Sequence, residues 1–206
     1  MVLCLNTNLK KSQLFCMVME FMHEIKIPKE RVAVLIGTKG KIKREVEEAT
    51  KCRITIDSKE GDVSISGEDG LSIFCAKDIV TAIGRGFNPD IAMLLLKQDY
   101  SFELINMADY VGKSKNKMIR IRGRVIGTEG KTRKVIEQLT ETYIAIYGKT
   151  IGMIGYPQNI ELARKAIEKL LAGAEHSSVY RWLEKKRKDL KMGAFEQIEL
   201  KESALK

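Results

Sequence analysis

From residue 21 to 27 apolar and polar positions alternate (Phe-Met-His-Glu-Ile-Lys-Ile), the period of a half-buried strand, and Pro28 closes it. Lys29 to Ile36 then reads as a short helix, with Pro28 at its entrance and Gly37 beyond its end. After a Gly-Thr-Lys-Gly turn, Ile42, Val46 and Ala49 recur at i, i+4 and i+7 among Lys41, Lys43, Arg44, Glu47 and Glu48, which predicts an amphipathic helix. Arg53 to Asp57 and Val63 to Ser66 alternate as two strands around a polar turn. Asp69 or Ser72 can cap a last helix running to about Ile83, where Gly84 and Gly86 end it. The predicted order is strand, helix, turn, helix, strand, strand, helix.

Asn88-Pro89-Asp90 offers an N-cap, a proline for the first helical position and a first-turn acid, so Ile91 to Lys97 reads as a short connecting helix. Leu94 to Leu96, apolar all round, is expected to pack between the two halves. The same order then returns. Tyr100 to Ile105 alternates as a strand, and a longer polar connection from Asn106 to Asn116 follows that the first half lacks. Met118 to Ile126 leads into a second turn, Val135 and Leu139 line the next helix, and Tyr143 to Ile146 and Thr150 to Ile154 are strands. Pro157 to Leu171 closes the unit, with Ile160, Ala163, Ile167, Leu170 and Leu171 on its apolar side and Gly173 as its stop. A final basic helix starts from a Ser177 or Ser178 cap and carries Val179, Trp182, Leu183 and the run Lys185 to Lys188. It suits either a charged helix packed on the second half or a separate RNA-binding arm.

The repeat is explicit in the residues. Val34 to Thr50 (VLIGTKGKIKREVEEAT) returns ninety positions later as Arg124 to Thr140 (RVIGTEGKTRKVIEQLT), and Gly67 and Gly86 have counterparts in Gly155 and Gly173. A length of 206 residues accommodates two domains of about 70 to 100 residues each. The expected division is an extension over 1–21, a first domain over 22–87, a linker over 88–99, a second domain over 100–173 and a basic C-terminal helix and tail over 174–206. Met17, Met19 and Met22 fall at the end of the extension, and Met19 or Met22 is read as the native start.

Hydrophobic residues at 44% are enough for a buried core. A net charge of +9 makes a field that attracts polyanions, nucleic acid first among them, although a surface rich in Lys and Glu ion pairs would carry the same bias. Cysteines at 4, 16, 52 and 75 form no C-x-x-C pair and do not combine with His23 or His176 in a zinc spacing. Cys52 and Cys75 read as small buried hydrophobes in a reduced, cytoplasmic protein, and no apolar run reaches the roughly 20 residues of a spanning helix. Gly130-Lys131-Thr132 would need a glycine at 125 to complete a nucleotide-binding loop, and Val125 stands there. No catalytic residue, metal ligand or cofactor is expected.

In a helix-turn-helix with G-x-x-G at the turn, the glycines adopt backbone conformations closed to side chains and let another chain's backbone come close. Amides beside a helix N-terminus offer donors to phosphate oxygens. Lysines in a first helical turn oppose the helix dipole, so a negative ligand is expected to compensate them. The candidate RNA-binding residues are Gly37, Thr38, Lys39, Gly40, Lys41, Lys43 and Arg44, and Arg124, Gly127, Thr128, Glu129, Gly130, Lys131, Arg133 and Lys134. Glu129, where the first copy has Lys39, is repulsive toward phosphate. Gly37→Asp and Gly127→Asp are expected to keep the fold while weakening RNA binding.

Both halves resemble type I KH domains (β-α-α-β-β-α), which implies an α+β protein of two tandem three-stranded sheets, each covered by three helices, plus a C-terminal helix. In that family four unpaired nucleotides run through a groove walled by the G-x-x-G loop. The resemblance makes Ile54 and Ile144 candidates for the groove floor, with ordinary core as the equal alternative. The tandem arrangement, the linker NPDIAMLLL, the run GYPQNIELARKAIEKLLAG and the trailing VYRWLEKKRKDLK look like the archaeal relatives of the Pno/Dim/Krr ribosome-assembly proteins. That resemblance implies single-stranded RNA as ligand, specifically the 3′ region of the 16S rRNA precursor, with the small ribosomal subunit and the Nob-type endonuclease as partners. Rival roles are a KH protein acting on messenger RNA and an exosome-type adaptor.

Overall fold

The computed structural model describes residues 21–112 and 114–189. The expectations about residues 1–20, including the native start and Cys4 and Cys16, lie outside the described residues. In the first half, β1 (Phe21–Lys26) leads through Pro28 into α1 (Lys29–Ile36), a G-x-x-G turn, α2 (Lys41–Thr50), β2 (Arg53–Ile56), β3 (Asp62–Gly67) and α3 (Gly70–Gly84). The strands form an antiparallel sheet in the order β1-β3-β2. Asp69 caps α3, accepting from the amides of Leu71 and Ser72 and from the Ser72 hydroxyl. These hydrogen bonds hold its carboxyl below the usual carboxylate range.

The connector starts two residues earlier than the sequence suggests and is not a single α-helix. It consists of α4 (Pro89–Ala92) and a 3-10 turn over Met93–Leu96, and Asn88 forms no side-chain cap because its amide bonds Asp90 instead. Ala92 and Leu95 enter the first core, so the linker docks on α2 and α3 rather than between the halves.

The second half comprises β4 (Ser101–Asn106), a one-turn α5 (Ala108–Val111), α6 (Lys115–Ile126), a second G-x-x-G turn, α7 (Lys131–Thr140), β5 (Tyr143–Tyr147), β6 (Thr150–Gly155) and α8 (Pro157–Leu171). Its sheet has the equivalent order β4-β6-β5. The polar connection read from the sequence thus holds α5 and the first two residues of α6. A helix α9 over 176–189 begins ahead of the predicted serine caps. It buries Val179 and Leu183 in the second core, as the packed-helix reading requires.

Two apolar stripes match expectation in part, with Val46 buried and Ile42 and Leu139 packed against the cores. On α2 Ala49 is exposed and Thr50 buried; on α7 the buried line is Thr132, Ile136 and Thr140, with Val135 and Leu139 half-buried. Threonine tolerates this burial because Thr50 and Thr140 each donate their hydroxyl to the carbonyl four residues back, at 2.7 Å. Cys52 is buried as expected, whereas Cys75 is half-buried.

The two sheets treat their outer faces differently. In the first, Glu24, Ser64, Thr55, Arg53 and Lys26 make that face polar. In the second, Phe102, Leu104, Gly152, Ile154 and Ala145 share it, and the first half covers it. Phe87 meets Phe102 edge to face at 6.2 Å and lies over Gly152, where a Cβ would come within 2.7 Å of its ring. Arg31 fixes this end of the first half by donating to the carbonyls of Ile83 and Phe87, and the Tyr147 hydroxyl donates to Glu30 at 3.0 Å. One junction, with Phe87 at its centre, therefore joins the halves.

Candidate nucleic-acid interface

Both turns trace the same backbone path. Gly37 and Gly127 stand at φ/ψ of 71°/178° and 74°/173°, Lys39 and Glu129 at 53°/30° and 53°/26°, and Gly40 and Gly130 at 75°/20° and 74°/15°. Each turn closes on itself through the amide of its second glycine, which donates to the carbonyl of its first at 3.2 Å. Thr38, Lys39, Thr128 and Glu129 are exposed. Neither α2 nor α7 has a side-chain cap, since a glycine occupies the N-cap position. A bare helix N-terminus beside an exposed turn favours an anion.

The two glycines of each turn do different work. A Cβ at Gly37 would lie 2.5 Å from Ile42 Cγ1, and one at Gly127 would lie 2.7 Å from the Thr132 amide nitrogen. Gly37→Asp and Gly127→Asp are therefore expected to cost stability as well as RNA binding, because the first glycine shapes the turn itself. Gly40 and Gly130 face open space, with only Arg44 Nε at 4.0 Å from the former.

The expected cations divide into two groups. Arg44 turns back on its own loop, donating to the carbonyls of Lys39 at 2.5 Å and Gly40 at 3.2 Å. Arg124 donates to the carbonyls of Gly173 and Ala174, while His176 Nε2 meets the Arg124 carbonyl at 2.9 Å, so it ties α6 to the α8–α9 junction. Arg133 pairs with Glu137 at 3.8 Å, and Lys43 with Glu47 at 3.7 Å. Lys41 pairs with Glu45 at 3.6 Å, but with both ends well exposed that pair is weak. Among the described residues Lys39, Lys131 and Lys134 enter no ion pair, and neither does Glu129. The structure thus brings the turn residues and Lys39, Lys41, Lys131 and Lys134 to the two exposed rims and withdraws Arg44 and Arg124 into braces.

Ile54 and Ile144 are buried, members of the two cores. Their amides point outward from the edge strands, and the carboxylates of Glu47 and Glu137 each accept one at 2.8 Å. This link from the second helix of each unit to its edge strand escaped the sequence reading. The repetition of the glutamate ninety residues apart was its available signal.

Comparison with known proteins follows the same division. A model described as KH domain matches residues 22–82, and one described as eukaryotic-type KH-domain, KH-domain type I, matches residues 101–188. The KH domain-containing protein MJ0443 of Methanocaldococcus jannaschii is 44% identical over 84% of this chain and 77% of its own length. The RNA-binding protein PNO1 of Oryzias latipes is 30% identical over 77% of this chain and 68% of its own. Among solved structures, Dim2p from Pyrococcus horikoshii superimposes with a TM-score of 0.75 at 47% identity, covering 80% of this chain and 99% of that one. A chain of the a/eIF2alpha-aDim2p-rRNA complex from the same organism gives 0.77 at 46% identity, covering 86% and 97%.

Proposed function

The chain belongs to the tandem KH family of the PNO1 and Dim2p proteins, and on that premise we propose that it binds single-stranded RNA at the 3′ region of the small-subunit rRNA precursor during ribosome assembly. It works as a cytoplasmic RNA-binding protein with no catalytic step of its own. The observation that carries the reading is the identical path of the two turns, each with two exposed residues beside an uncapped helix N-terminus. The names of the relatives, a pre-rRNA-processing PNO1 and an rRNA complex of aDim2p, favour this RNA over messenger RNA. The small ribosomal subunit and the Nob-type endonuclease are the partners that follow from the same role.

In this reading the strand's phosphates pass over the turn, where Gly40 and Gly130 leave room for the sugar-phosphate chain. Lys39 and Lys41 supply the charge at the first turn, and Lys131 and Lys134 offset Glu129 at the second. The braces of Arg44 and Arg124 keep the turns preorganised, which lowers the ordering cost of binding.

Thr38→Asp with Lys39→Asp tests the reading without disturbing the backbone, because aspartate accepts the left-handed conformation found at position 39. Fluorescence titration with rRNA 3′-end RNA is expected to show about tenfold or greater loss of affinity. The salt dependence should become shallower too, by about 0.7 in log–log slope for each phosphate no longer neutralised. Unchanged affinity in a folded double variant, or equal affinity of the native chain for unrelated single strands, overturns it.

A further inference from the structure

The second half carries a feature that the first half has closed off. From Met107 to Gly127 the chain takes ten residues more than from Ile27 to Gly37, and the addition forms α5 and the lengthened start of α6. In the first half the corresponding corner is sealed: Ile27 donates to Gly61, Lys29 pairs with Glu60 at 3.8 Å, and Val32 is buried. In the second half Met107 keeps the equivalent bond to the Lys149 carbonyl at 2.9 Å. A cleft of about 600 Å³ opens there, bounded by α5, the first half of α6 and the β5–β6 turn.

The lining joins an apolar floor to a basic rim. Met118 and Ile119 form the floor, Ile119 being 51% exposed, and Lys115, Arg122 and Lys149 surround it. Arg122 stands at the repeat position of the buried Val32, so a charge has replaced a core residue where the cleft opened. Lys117 and Arg120 extend the positive face of α6, a helix with no acidic residue, and none of these five cations has an ion-pair partner among the described residues. Lysine in the first turn opposes the helix dipole, as at the G-x-x-G turns. Apolar surface ringed by unpaired cations suits a flat base joined to phosphates.

Resting on the RNA-binding reading above, we infer that this cleft is a second nucleotide site: it receives a base of the same single strand beyond the nucleotides held at the second turn, with Lys115, Arg122 and Lys149 on its phosphates. The cleft and the Gly127 turn lie at opposite ends of α6, about 18 Å apart by the helical rise. A strand that fills the groove at the second turn with four nucleotides and also enters the cleft is longer than four nucleotides.

Lys115→Glu with Lys149→Glu alters two exposed residues that form no side-chain hydrogen bond or ion pair among the described residues, and Ile119→Ala removes part of the floor. Anisotropy titrations of the full chain use labelled single-stranded RNAs of four and twelve nucleotides. The double variant is expected to bind the longer RNA about tenfold more weakly, with a salt slope lower by about 1.4, and the shorter RNA unchanged. Ile119→Ala is expected to weaken the longer RNA with no change in slope. Equal binding of the longer RNA by native and double-variant chains overturns the cleft site alone. An acidic peptide that binds the native chain but not the variant, with RNA binding unaffected, assigns the cleft to a protein and overturns it too. If the native chain binds RNA of neither length, the RNA-binding reading falls together with this one.

Discussion

Replacing the first and the second glycine of a turn by alanine separates the residue that shapes the turn from the one that admits a ligand. Gly37 stands at φ 71°, ψ 178°, a region open in practice to glycine alone, where another residue costs about 1–3 kcal/mol. Its new Cβ would also lie 2.5 Å from Ile42 Cγ1, and relieving that overlap adds about 1–3 kcal/mol. Gly40 stands at φ 75°, ψ 20° with no atom nearer than Arg44 Nε at 4.0 Å. There the left-handed conformation costs about 1–2 kcal/mol, while the stiffer unfolded chain favours both variants alike and cancels between them. Mid-range values therefore leave Gly37→Ala less stable than Gly40→Ala by about 2.5 kcal/mol, which for a chain of this size is about 5–10 °C in thermal midpoint. Scanning calorimetry of the two variants measures the gap, and Gly127→Ala against Gly130→Ala should reproduce it. Equal midpoints would refute the assignment of the first glycine to the turn and the second to the ligand.

Glu129→Lys should raise affinity for single-stranded RNA about fivefold at low salt by exchanging repulsion for attraction at one phosphate, a gain that fades as salt rises; a weaker complex would mean that the second turn meets something other than phosphate. Phe87→Ala empties the junction between the halves and should cost about 3–5 kcal/mol in denaturant unfolding, with earlier proteolysis between residues 85 and 100; an unfolding curve matching the native one would show that Phe87 does not hold the junction. Burial raises the Asp78 carboxyl above its ordinary value, a shift that nearby Lys77 partly opposes. A carboxyl raised by folding binds its proton more tightly in the folded state, so its ionisation penalty is full above the folded pKa and vanishes as pH falls below the unfolded value. Asp78→Asn should therefore raise the thermal midpoint near neutral pH and lose that advantage in acid, and a gain independent of pH would contradict the cause assigned.

The turns were legible in the sequence because glycine marks them directly. Positions needing positive φ or a missing Cβ accept few substitutes, and their recurrence at a fixed offset with the same flanking helices specifies the architecture. The helix over Pro157–Leu171 was equally plain, since Pro157 and Gly173 punctuate it. The buried faces of α2 and α7 were not, because a threonine bonded to its own helix packs as an apolar residue while reading as polar. The use made of Arg44 and Arg124 was hidden for a related reason. Their acceptors are backbone carbonyls that converge only in the folded chain, so the sequence shows two cations and no sign that they are engaged. The junction between the halves did leave a trace: β3 alternates as Val-Ser-Ile-Ser, whereas β6 runs Ile-Gly-Met-Ile, apolar on both faces, the mark of a strand covered on both sides.

The most direct measurement is photocrosslinking of a single-stranded rRNA 3′-end fragment to the intact chain, with the linked peptides identified by mass spectrometry. Adducts concentrated at residues 37–41 and 127–134 are the expected result. Efficient crosslinking confined to other surfaces, with both turns unmodified, would contradict the claim that paired glycine turns hold the RNA backbone.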